Sequence, residues 1–299
     1  MNKVLKLQPI IKSYIWGGTF FKGFRNCEEE TISESWELSI RKDNNNPVVG
    51  FSQTLNELLT EEDLGPNCKR FPYFPLLVKL IDARDNLSIQ VHPSDEYALK
   101  HENSFGKSEM WHIIDAEPNS GLYVGLKRDY SQSELEARLK DNTIEECLNF
   151  FKVKPGDTFL INPGTIHAIG KGVRLIEIQQ NSDLTYRLYD YQRKDKNGHY
   201  RELHIDKALK VIDYHKYNGA QISGDVLADN QYFKVVKKEV KGELEITANE
   251  GSFLTFTFID GEGKVDDIEY QKYNTFFLPN NRKCLIKGVG TIIVSSVNK

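Results

Sequence analysis

The sequence predicts an all-β dominated fold, two jelly-roll-like domains carrying a few short helical insertions, on three observations. Short apolar or alternating runs bounded by Gly, Pro and Asn recur along the chain. The regular helical patterns that a doubly wound parallel sheet places between its strands are missing. The 299-residue length allows about two domains, and 27% charged against 39% hydrophobic residues describes a folding chain, not a disordered one.

In chain order, strands are expected in SWELSI (35–40), PLLVKLI (75–81), LSIQVHP (87–93), SEMWHII (108–114), GLYVGL (121–126), DTFLINPG (157–164) and VRLIEIQQ (173–180). A second series follows in YFKVVKKEV (232–240), ELEITA (243–248), SFLTFTFI (252–259), NTFFLP (274–279) and TIIVSSV (291–297). Helices are expected at Leu55 to Leu59, at about 95–102, and as a pair within about 131–150, where Ser131 and Glu134 stand at capping-box spacing. Arg201 to Tyr214 reads as a further helix through Leu203, Ala208, Leu209 and Ile212. The polar stretch from Lys216 to Gly224 then divides a larger domain, residues 1–215, from a smaller β domain, 216–299. All seven histidines lie at or before His215, so the smaller domain is expected to carry no imidazole metal site.

The 39 basic and 43 acidic side chains leave a net charge of −4, which offers no basic field for a nucleic-acid backbone. An anionic ligand must then be held by a few placed Lys or Arg. No apolar run approaches the ~18 residues of a membrane span, and the N-terminal residues lack a sustained apolar core, so a cytoplasmic location is expected. Cys27, Cys68, Cys147 and Cys284 lie far apart with no C-x-x-C, which favours free thiols. No Gly-rich dinucleotide turn or P-loop is found.

Gln90 and His92 are two apart on an expected strand, so both project from one face while Ile89 and Val91 take the other. Glu109 shares a face with Trp111 and Ile113, and a carboxylate among apolar neighbours needs a partner if buried; a metal ion is one. His112 has the opposite parity and is expected not to be a ligand. In VKPGDTFLINPGTIHAIGKG, Gly156 and Gly164 are eight apart and His167 follows three later. This resembles the second motif of the cupin superfamily, a strand and tight turn that deliver a histidine into a barrel mouth. Gln90-Val91-His92 stands where H-x-H is usual in cupins.

The runs Tyr14-Ile-Trp-Gly-Gly18, Glu34-Ser-Trp-Glu-Leu-Ser39, Leu87 to Pro93, Gly106-Lys-Ser-Glu109, Pro163 to Ala168, Glu177 to Asp183 and Thr185-Tyr-Arg-Leu-Tyr-Asp-Tyr191 resemble type I mannose-6-phosphate isomerases of the short bacterial kind. The resemblance covers roughly Tyr14 to Arg193, in order. It implies two cupin-like domains with the site in the first, and one zinc ion per monomer bound by Gln90, His92, Glu109 and His167. The ligand types alone also suit iron or manganese. It further implies catalytic roles for Arg187, Lys107 and Glu177, and substrate contacts from Arg193, Ser88, Asp183 and Trp16, with Arg193 near the phosphate. Glu34 matches a position near the pocket, whereas Trp36 reads as core. The expected activity is interconversion of mannose 6-phosphate and fructose 6-phosphate through a cis-enediol. Two rival readings use the same ligands: an iron-dependent cupin oxygenase, and a sugar-binding cupin without turnover. The expected partner is a small sugar phosphate, with oligomeric state left open.

Overall fold

Alternation along the strands decides which layer each face of the molecule joins. The computed structural model describes residues 3–195, 197–219, 221–249 and 251–299. A six-stranded antiparallel sheet runs in the order Thr158–Ile161, Glu109–Ala116, Val173–Gln180, Leu76–Ala83, Glu34–Leu38, Ile10–Lys12. A five-stranded sheet runs Leu148–Lys152, Gly121–Leu126, His167–Ile169, Ile89–Val91, Tyr186–Tyr189. Their facing side chains share one core, in which Trp111, Ile113, Leu175 and Ile81 of the first meet Leu122, Val124 and Ile169 of the second. This is the face-to-face packing of a jelly roll, inner residues alternating with outer ones.

The outer faces are covered as well. Met110, Ile176, Ile178, Leu80 and Val78 pack with Leu227, Phe233, Val235 and Ile293 of the C-terminal sheet. Behind the smaller sheet, Ile89, Val91 and Ala168 meet Leu135 and Leu139 of the helix Gln132–Lys140 and Leu209 of the helix Ile205–Leu209. Both sheets are therefore buried on two sides, which explains the near-continuous apolar run of Leu76–Ala83.

The helix Asp95–Glu102 forms as expected. Ser94 accepts a hydrogen bond from the Tyr97 amide, and Asn103 ends the helix in the left-handed region at φ 47°. The capping box of Ser131 and Glu134 is likewise formed at the start of Gln132–Lys140. Four expectations are corrected. The second member of the 131–150 pair is a single 3₁₀ turn, Ile144–Cys147, followed by the strand Leu148–Lys152 that pairs with Gly121–Leu126. Only Ile205–Leu209 of the segment 201–214 is helical, because the His204 amide donates instead to Arg187 O at 2.7 Å and ties the segment to a strand. The runs 232–240 and 243–248 are one 15-residue strand, Phe233–Thr247, which passes Gly242 at φ 92° without leaving its ladder. Finally, Leu5–Leu7 pairs with Thr275–Leu278, so the first strand joins the C-terminal seven-stranded sheet across the expected division at 215. No helix among the described residues is long and apolar enough to cross a membrane.

Candidate functional site

Strand register assembles the site. His167 lies opposite Gln90, and Gln90 lies opposite Arg187 on its other side. Directly opposed residues share a face, so imidazole, amide and guanidinium form one row on the smaller sheet's inner face. On the larger sheet, Gln179 lies opposite Glu109, and the next inward row runs Phe159, Trp111, Glu177, Lys79, Trp36. His92 follows its strand by one residue and keeps the parity of Gln90.

His92, Glu109 and His167 are buried, and their ligand atoms lie within 4.8 Å of one another. His92 Nε2 is 3.3 Å from Glu109 Oε1, and His167 Nε2 is 3.6 Å from Glu109 Oε2. Each ring is fixed by its other nitrogen. His92 Nδ1 donates to Leu184 O at 2.9 Å, and His167 Nδ1 donates to Thr165 O at 2.8 Å. Donation through Nδ1 selects the tautomer whose Nε2 lone pair is free, the arrangement a metal-ligating histidine requires. The Gln90 side-chain amide lies at the same point, its Nε2 3.4 Å from His167 Nε2 and its Oε1 3.4 Å from Ser88 Oγ.

Electrostatics favour the same assignment. Burial and then the neighbouring Lys107 hold His92 below its ordinary value, and burial and then His92 push His167 down to about 3, so both rings are neutral near pH 7. Burial alone would raise the Glu109 carboxyl, but Lys107 and the two imidazoles hold it well below the usual carboxylate range. Glu109 Oε2 is nonetheless buried without a hydrogen-bond partner among the described residues. Two neutral imidazoles presenting Nε2, an orphaned carboxylate oxygen and an amide side chain suit a borderline divalent cation. Lys107 is bonded to Glu109 Oε1, and its ammonium is 3.2 Å from His92 Nε2.

His112, as expected from its parity, points away from this cluster and meets Thr158 Oγ1 at 2.7 Å. Burial, and then Lys237, push it from 6.5 down to about 4. Its folded pKa is depressed, so its contribution to stability is complete above about pH 6.5 and is lost as pH falls towards 4, on the order of 3 kcal/mol in all. Denaturant titrations at several pH values check this: H112Q should show a shallower loss of stability over that window and unchanged metal content.

Beside the cluster opens a pocket of about 380 Å³. Gln90 and Lys107 belong to both, forming its inner end. Of the other residues expected at the site, Trp16, Ser88, Glu177, Asp183 and Arg187 line the walls. Ser88 Oγ receives Arg187 Nε at 3.2 Å, and Asp183, on the exposed rim, pairs with Arg41 at 2.5 Å. Trp36 lines the wall too, its Nε1 donating to Glu34 Oε2 at 2.6 Å.

Arg193 is the exception, for it does not line the pocket, and its guanidinium pairs with Asp190 at 2.6 Å. Arg201 lines the wall instead. Sequence reasoning missed it because 201–214 was expected as a helix, its start an unremarkable end position. Lys79 was missed as well: its Nζ lies 3.3 Å from Glu177 Oε1 and 3.6 Å from Glu34 Oε2. Burial would lower Lys79, but Glu34, Glu177 and Glu109 raise it, so it stays charged. The available signal was a lysine in the middle of an otherwise apolar run, which needs a buried partner. Glu177 accepts from Trp111 Nε1 at 2.8 Å, and burial and then Glu109 raise its carboxyl above its ordinary value.

Comparison with known proteins gives one answer. Residues 4–107 match the family described as phosphomannose isomerase type I, catalytic domain. The chain is 38% identical over 282 residues to the mannose-6-phosphate isomerase ManA of Bacillus subtilis (strain 168), which covers 89% of this chain and 88% of that one. It is 33% identical over 302 residues to the mannose-6-phosphate isomerase of Streptococcus mutans, covering 95% and 94%. The crystal structure of the mannose 6-phosphate isomerase from Bacillus subtilis superposes with a TM-score of 0.87 at 34% identity, over 98% of this chain and 99% of that one.

Proposed function

The chain belongs to the type I phosphomannose isomerase family, and from that premise we propose that its pocket interconverts D-mannose 6-phosphate and D-fructose 6-phosphate through a cis-enediol, with one zinc ion per chain. Gln90, His92, Glu109 and His167 would hold that ion. The carrying observation is the pair of imidazoles locked by their Nδ1 atoms to backbone carbonyls, with both Nε2 atoms facing a buried Glu109 beside a cation-lined pocket. When bound, the metal supplies Lewis-acid polarisation of the sugar oxygens at C1 and C2.

The chain's own residues carry the rest. Isomerisation moves one proton between C2 and C1, which calls for a base close to neutrality and a donor at the oxygens. Glu177 faces the pocket with a carboxyl raised above its ordinary value, and we assign it the carbon proton. Lys107, at the inner end, is assigned proton exchange at the oxygens. Arg187, braced by Ser88 and by Glu202 O at 2.7 Å, presents a fixed positive charge to the anionic substrate from the same wall. Trp16 and the Lys79 pair with Glu177 shape and hold that wall.

The test is direct. Zinc-loaded protein given mannose 6-phosphate under anaerobic conditions, without nicotinamide cofactor or ATP, should form fructose 6-phosphate. Absence of ketose from folded, zinc-replete protein, or a requirement for oxygen, would count against the reading.

A further inference from the structure

Resting on the isomerase reading, we infer that Arg187 and Arg201 together seat the substrate's phosphate, and that Arg193 acts on that seat only through Asp190.

The distribution of charge points there. At the inner end each cation has a carboxylate: Lys107 is bonded to Glu109, and Lys79 stands between Glu34 and Glu177. At the other end of the Gln90 row the balance changes. Arg187 spends its donors on neutral groups, Nε on Ser88 Oγ at 3.2 Å and Nη1 on Glu202 O at 2.7 Å. Arg201 and Arg193 share the single carboxylate of Asp190. Three guanidiniums meet one buried carboxylate, and the other acids nearby, Glu202 beside Arg187 and Asp183 paired with Arg41 on the rim, are exposed to solvent, so this end carries a positive surplus. A phosphate monoester carries about −1.5 to −2 near neutrality, opposite in sign to that surplus.

Donor geometry separates the two arginines on Asp190. Arg201 lays one edge on the carboxylate, Nε to Oδ2 at 2.7 Å and Nη2 to Oδ1 at 2.5 Å, and is itself a residue of the pocket wall. Its Nη1 and the Nη2 of Arg187 have no hydrogen-bond partner among the described residues. Arg193 approaches Asp190 Oδ1 at 2.6 Å, packs over the Tyr191 ring at 5.1 Å, and stands off the wall. It therefore fixes Asp190, which in turn fixes Arg201. Arg187 is held below its ordinary value by burial first and by the Arg201 charge second, so the two guanidiniums repel each other until an anion joins them.

Spacing agrees. His167, Gln90 and Arg187 stand on three successive strands, which puts two inter-strand spacings, about 10 Å, between the first and the last. A six-carbon sugar phosphate bridges such a gap between its C1 and C2 oxygens and its phosphorus.

The experiment measures inorganic phosphate binding by calorimetry on the zinc-loaded full chain, alongside steady-state kinetics on mannose 6-phosphate. R201A should weaken phosphate binding about tenfold or more and raise KM similarly while kcat stays within about threefold. R201K, which keeps the charge without the fork, should recover part of the loss. R193A should weaken phosphate binding by less than about threefold, and R193K should match the wild type. Wild-type phosphate affinity in R201A, or a larger loss in R193A than in R201A, would overturn the seat while leaving turnover by the wild type to support the isomerase. A wild type that binds phosphate through Arg201 but forms no ketose would count against the isomerase reading alone.

Discussion

H167A should lose metal binding and, with it, turnover by about three orders of magnitude or more. The imidazole is fully buried, its tautomer is fixed by Thr165 O, and its Nε2 faces the one oxygen of Glu109 that has no other partner. Alanine removes a ligand and also leaves an enclosed polar space that the surrounding strands, locked in register with Gln90 and Val124, cannot collapse to fill. Even loss of a group that merely orients a ligand costs roughly 10–100-fold in metal affinity, so loss of the ligand itself should exceed that. Elemental analysis after dialysis and steady-state kinetics check both parts. H112A, on the opposite face of its strand and bonded to Thr158, is the matched control and should keep its metal.

K107M should lower kcat by about 10²–10⁴ with KM little changed, as expected for a group that moves a proton in the transition state. Methionine preserves most of the buried volume of a residue that is 5% exposed, so the defect is chemical. The variant has a second signature. Without metal, Lys107 is the cation that Glu109 is paired with, and removing one partner of a buried pair costs roughly 3–5 kcal/mol. The metal-free variant should therefore melt well below the metal-free wild type, and zinc should close most of that gap by giving Glu109 another cation. Equal melting of both metal-free proteins would show that Lys107 does not support the carboxylate.

Much of this site was legible because strand parity is a local property. Gln90 and His92 share a face in any extended conformation, and Glu109 and His112 cannot, so ligand and non-ligand were separable from the sequence. The helix Asp95–Glu102 was legible for a similar reason, since its cap at Ser94 lies within its own first turn. What escaped depends on contacts between distant segments. Lys79 reaches Glu177 through a register of two strands 98 residues apart, and no local pattern announces that pairing. Arg201 lines the pocket because Asp190 and Arg187 hold the chain there, overriding the helical pattern of 201–214. The motif match at Arg193 predicts a basic residue near the phosphate, whereas the structure pairs it with Asp190 and leaves it off the pocket wall. The N-terminal strand's departure to the C-terminal sheet is equally a long-range pairing, Leu5 with Phe277, which periodicity cannot see.

The central claim is that one metal, held by Gln90, His92, Glu109 and His167, turns this pocket into an isomerase. Chelator-stripped protein titrated with zinc, while fructose 6-phosphate production from mannose 6-phosphate is followed, tests it most directly. Activity should start near zero and rise in proportion to added zinc, with a break at about one equivalent per chain and no such rise in H167A. Undiminished activity in the stripped protein, or zinc-restored activity in H167A equal to the wild type, would contradict the account.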